Sequence, residues 1–133
     1  MANRLSTAQR NTLADAYGDS LNSGSFKVYT GTQPTSADDT ATGTLLVTFT
    51  LPADAMSAAA SGACSLSAAV NGTAVAAGTA GWGRFLKTDG TTVVNDVAVS
   101  ESGGGGEAII SNATIAVDDA LQLTSYTWTQ PAS

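Results

Sequence analysis

The chain is 133 residues long and carries a formal net charge of −6, with only 12% charged and 6% aromatic side chains. That length suits one domain with a modest core. The five cations (Arg4, Arg10, Lys27, Arg84 and Lys87) are too scattered to neutralise a run of phosphates or to hold an anionic membrane, so neither nucleic acid nor a membrane is an expected partner. The absence of histidine removes the base of the usual Ser–His–Asp and Cys–His devices.

The N-terminus, MANRLSTAQRN, has no hydrophobic signal region, so synthesis and folding in a cytoplasm are expected. In 5-LSTAQRNTLADAYGDSLNSG-24, Ser6 and Gln9 have capping-box spacing. Leu13, Tyr17 and Leu21 recur every fourth residue as an apolar stripe, and 22-NSG-24 is a stop. This predicts a helical segment within residues 1–24. It packs across its own domain or docks on a neighbouring subunit.

From residue 25 to 133 the pattern is β. The run 26-FKVYT-30 is aromatic and β-branched, and 44-TLLVTFTL-51 places Leu45, Val47, Phe49 and Leu51 on one face before Pro52 ends it. Between them lies the long polar loop 31-GTQPTSADDTATG-43. The alanine-rich stretch from 53 to 81 predicts a strand near Ala63–Val70 and a turn at Asn71-Gly72, with Cys64 a small buried hydrophobe. Two extended runs then flank Asp89-Gly90, a hairpin signal.

A tetraglycine run at Gly103–Gly106 reads as a flexible connection, because flanking Glu101 and Glu107 would repel a phosphate. Short runs at 109–111 and 112–117 follow, then a turn at Asp118-Asp119. In the closing strand, from residue 120 to 131, Leu121 and Leu123 have odd parity while Tyr126 and Trp128 have even parity, which predicts a bulge or a shared strand near Thr124-Ser125. The expected fold is a mainly β, antiparallel sandwich or jelly-roll-like single domain with a short N-terminal α-helix. Phe49, Trp82 and Trp128 are the expected core aromatics.

The acidic pairs Asp38-Asp39 and Asp118-Asp119 lack the spacing of a calcium loop, so no metal site is assigned. No cofactor is expected. Nothing in the spacing sets two carboxylates across a cleft, and the expectation is a non-enzyme.

The order short strand, YTGTQP, polar loop, GTLL, apolar strand, between about Leu21 and Leu51, resembles small virion proteins of tailed bacteriophages, with a fainter likeness in the closing SYTWTQP. The resemblance implies a capsid decoration (cement) or minor head protein: a compact non-enzymatic β-domain on the virion surface, with the phage major capsid protein as partner. The expected role is to bridge and stabilise major capsid subunits. A homo-oligomer is expected, with a trimer as the first candidate. A head–tail connector or tail protein, or a displayed carbohydrate- or calcium-binding module, is the alternative. The expected contact residues are Tyr29, Thr32, Gln33, Pro34, Asp38 and Asp39 of the loop, and Leu13, Tyr17 and Leu21 of the helical stripe.

Overall fold

The computed structural model describes residues 3–132; residues 1–2 and 133, at the outer ends of the two expected segments, lie outside it. Helix α1 (Thr7–Ser20) begins where the capping signal places it. The Ser6 side chain accepts the Gln9 N–H at 3.1 Å. The apolar face, however, departs from the predicted stripe at Leu13. Ala14 and Gly18 are buried, while Leu13 is 37% exposed. The cause is close packing. A Cβ on Gly18 would lie 3.1 Å from the Met56 Cβ, so only small residues let the helix sit this near the 53–66 segment.

Among the described residues nine strands follow: β1 (Ser25–Thr30), β2 (Leu45–Thr50), β3 (Ala63–Ser65), β4 (Val70–Thr73), β5 (Gly78–Leu86), β6 (Val93–Ser100), β7 (Ala108–Ile110), β8 (Thr114–Ile115) and β9 (Ala120–Thr129). They form one curled mixed sheet in the order β2-β1-β5-β6-β7-β9-β3, with β4 also on β9 and β8 on β5. The two ends of the curl meet. Val47 bridges Ala74, and the Val75 N–H donates to the Leu46 carbonyl at 2.8 Å. The result is the expected mainly β, sandwich-like single domain with one N-terminal helix.

The curl encloses a row of aromatic rings. Phe85 of the central strand β5 stacks on Phe26 at 4.2 Å and lies tilted against Tyr126 at 4.6 Å, and Phe26 lies 6.4 Å from Phe49. Phe26, Phe49 and Phe85 are fully buried, as is Trp82; Trp128 is half-buried. Truncating one of the central phenylalanines costs about 3–5 kcal/mol.

The hairpin at Asp89-Gly90 forms, with a four-residue loop in place of a two-residue turn. Lys87 donates its N–H to the Thr92 carbonyl, and the Asp89 carboxylate accepts the Thr91 and Thr92 N–H groups. The parity switch in β9 also forms: Ile109 faces Ser125 but Ile110 faces Leu123, which leaves Thr124 as the extra residue.

Three expectations are corrected. Asn71-Gly72 is not a turn but the middle of β4, opposite Gln122 and Leu121. Glycine is needed there because a Cβ would come within 3.0 Å of both Phe49 and Val47 across the curl. One strand pair, β6 with β7, is parallel, against the all-antiparallel expectation. The tetraglycine run that connects them is a fitted loop. Gly103 and Gly105 take φ of +87°, whereas a Cβ on Gly104 or Gly106 would strike Ser100 within 2.8 Å.

Candidate interaction surface

The loop from Gly31 to Gly43 has no regular structure but a tight neck. The Thr30 N–H donates to the Thr44 carbonyl at 3.1 Å, and the Thr44 N–H donates to Thr30 Oγ1 at 2.9 Å. Gly43 sits so close to the Thr30 carbonyl that a Cβ would lie 2.1 Å from it. Within the loop, Asp39 Oδ2 accepts the Thr35 hydroxyl and the Ser36 N–H, each at 3.3 Å, and the Asp38 N–H donates to Ser36 Oγ at 3.1 Å. These are the local side-chain turns expected of Asp and Ser. Thr32, Gln33, Asp38 and Asp39 are exposed and Pro34 is half-buried. The loop members expected from sequence therefore lie together on the surface.

The loop is rooted on the outer face of β1, β5 and β6, which carries the most heavily buried charges among the described residues. Arg84 Nε and Nη2 donate to the two carboxylate oxygens of Asp96 at 2.7 and 2.9 Å, with side-chain exposures of 6% and 3%. The fork is bidentate, the strong form of this pairing. The bond to Asp96 raises the Arg84 pKa above its ordinary value, and Asp39 of the loop acts in the same direction. The guanidinium also lies 5.4 Å from the Trp82 ring centroid, and Tyr29 stacks on Trp82 at 4.7 Å. Burial raises the Tyr29 pKa. Tyr29 is thus the half-buried floor of the loop's root. Residue-by-residue reading singled out neither Arg84 nor Asp96. The signal was present, since the two positions are symmetric about Gly90 in the predicted hairpin and carry opposite charges within apolar runs.

The helical half of the expected contact set is corrected. Leu21 is fully buried in the core of its own chain. Tyr17 stacks on Trp128 at 4.3 Å and belongs to a closed polar ring. Its hydroxyl donates to Asn95 Oδ1 at 2.8 Å and lies 2.7 Å from the Tyr126 hydroxyl, while Asn95 Nδ2 donates to that same hydroxyl at 3.3 Å. Burial pushes both phenols above the ordinary tyrosine range. Further bonds hold the helix down: Ala59 N–H to Asp15 at 2.7 Å, Gly62 N–H to Asn11 at 2.8 Å and Arg10 Nε to the Gln130 carbonyl at 2.8 Å. The helix therefore docks on its own domain, and of the three stripe residues only Leu13 faces outward.

Among the described residues, no three His, Cys, Asp or Glu side chains converge on a point that would hold a metal ion. Asp119 Oδ2 accepts the Ala116 N–H at 2.8 Å and Asp39 is bonded within its own loop, so each acidic pair has one member committed to a turn. A shallow groove beside β4 and β9 is lined by Asn71, Thr73, Ser111 and Gln122, with no aromatic ring in its wall. No family model matches the chain, and no curated protein or solved structure is significantly similar to it.

Proposed function

We propose that this chain is a non-enzymatic structural protein of a tailed-phage virion that decorates the capsid and stabilises it by bridging major capsid subunits. The reading begins from the likeness of YTGTQP and GTLL to such proteins. The observation that carries it is that these two motifs form the neck of a polar loop whose exposed Thr32, Gln33, Asp38 and Asp39 stand on a hydrogen-bonded root. A loop whose ends are fixed loses less freedom on contact, which lowers the cost of gripping a neighbour. The function is mechanical. Each contact is weak, and many copies on one shell shift its opening equilibrium by mass action.

Electron microscopy of particles made with and without the gene tests this. The expected result is density for the domain spread over the shell of the complete particle, with the 31–43 loop against a capsid subunit. Without the gene, shells should open at lower temperature. Density confined to one vertex would move the protein to the head–tail junction. Particles lacking the protein altogether, or a loop free of any contact, would sink the proposal.

A further inference from the structure

The strand register gives the molecule two different ends. Thr30, Leu45, Thr73, Gly78, Ser100 and Ala120 all lie at one of them, because Thr30 faces Ala80, Tyr29 faces Leu45, Gly78 faces Ile115 and Thr73 faces Ala120. The 31–44 loop, the Gly103–Gly106 loop and the turn ending in Asp118-Asp119 are therefore rooted at the same end. Helix α1 and the 87–92 hairpin lie at the other.

Two features single out the loop end. It carries Val75 and Val117, 65% and 55% exposed, which are two of the three large apolar side chains exposed among the described residues. They are neighbours, since the Asp118 N–H donates to the Ala74 carbonyl and the Ala74 N–H to the Asp119 carbonyl, both at 2.9 Å. Ala74 points inward, at 1% exposure, so Val75 points out. The second feature is charge. The segments rooted there hold Asp38, Asp39, Glu101, Glu107, Asp118 and Asp119 with no lysine or arginine. The other five carboxylates, Asp15, Asp19, Asp54, Asp89 and Asp96, are matched by the five cations. The whole formal charge of −6 thus resides at one end of the molecule.

We infer that the loop end is a docking face, with Val75 and Val117 as its apolar centre, for a protein surface that offers an apolar seat bordered by lysines or arginines. Charge complementarity selects this occupant. A second copy of the same end would bring carboxylates against carboxylates, and an anionic lipid or nucleic acid would be repelled. The inference rests on the contact reading above for the existence of a protein partner. It widens the contact from one loop to a whole end and specifies the partner's chemistry.

The test places benzoylphenylalanine, a photo-crosslinking residue, at Val75, Val117 or Leu13 of the full chain in its native expression host, and maps the adducts by mass spectrometry. Adducts from positions 75 and 117, at partner sites beside lysines or arginines, are expected, with few from position 13. Binding of the partner so identified should weaken steeply as sodium chloride is raised. It should weaken about tenfold or more when Asp38→Asn, Glu107→Gln and Asp118→Asn are combined. Adducts mainly from position 13, adducts only between copies of this chain, no adduct from either valine, or salt-insensitive binding would each overturn the inference. If the basic partner is not a shell subunit, the docking face stands and the virion reading fails. If the protein sits on shells but crosslinks through Leu13, the reverse holds.

Discussion

Removing Asp96 probes the root of the loop most directly. In the Asp96→Ala protein the Arg84 guanidinium keeps its buried position against Trp82 but loses both carboxylate oxygens, at 2.7 and 2.9 Å. Because the Asp96 side chain is only 3% exposed, water does not already solvate the pair. Breaking a buried pair from one side costs about 3–5 kcal/mol, most of it the uncompensated charge left behind. The Arg84–Trp82 contact, about 0.5–2 kcal/mol, is present in both proteins and cancels from the difference. With a urea dependence of roughly 2 kcal/mol per molar, the unfolding midpoint should fall by about 2 M. Arg84→Met should cost a similar amount, since it strands the carboxylate. The double variant Arg84→Met/Asp96→Leu should recover most of the loss, because a well-packed apolar pair replaces an ion pair at little net cost. Urea denaturation followed by circular dichroism reads all three. If each single variant loses less than about 1 kcal/mol, the pair behaves as an exposed one and the buried root is wrong.

Three further outcomes follow from the packing. Gly72→Ala should destabilise by about 1–3 kcal/mol in the same denaturation assay, because the new methyl meets Phe49 and Val47 at 2.9 and 3.0 Å in the core of the curl. The Asp89 carboxylate is held down to about 2 by the Thr92 hydroxyl and by the Thr92 and Thr91 N–H groups. A carboxyl depressed in the folded state stabilises above its ordinary range, and that contribution disappears as pH falls through about 2. A side-chain NMR titration should show that midpoint, with the Thr91 and Thr92 amide signals moving in step; an ordinary carboxylate midpoint would mean that the hairpin cap does not form. Cys64 is buried, its Sγ 3.5 Å from the Ala14 carbonyl, and burial pushes its thiol up. It should react with a disulfide reagent only after denaturation, and rapid labelling of the native protein would show that α1 does not cover it.

Sequence alone is most informative where a local rule has few competitors. The Ser6 cap, the Asp89-Gly90 hairpin and the parity switch of β9 are all read from short windows, and all three form. Windows fail where a distant neighbour decides. Asn71-Gly72 has turn chemistry, but Gly72 is small because Phe49 lies across the curl. Leu13 looks like the apolar centre of the helix, but the neighbouring Met56 admits only Gly18 at close range. The exposure of the loop half of the expected contact set is legible because it follows from polar composition. The helical half is not, since nothing in Tyr17 or Leu21 reveals that Asn95 and Tyr126 are waiting in the same chain.

The joined ends of the sheet have a consequence for crowding. An open sheet presents unpaired backbone groups that can recruit another chain, and this hazard grows with local concentration. Here β2 is paired on one side with β1 and bridged on the other at Val47 to Ala74, while β3 is flanked by β9 and by the segment at Met56 and Ser57. Copies brought together at high concentration would therefore meet at these two edges through side chains and loops rather than through open strands. The short Val47–Ala74 seam is the place where that protection is thinnest. A substitution that opens it should reveal itself first as fibre formation in concentrated solution, before any loss of the helix or of the aromatic core.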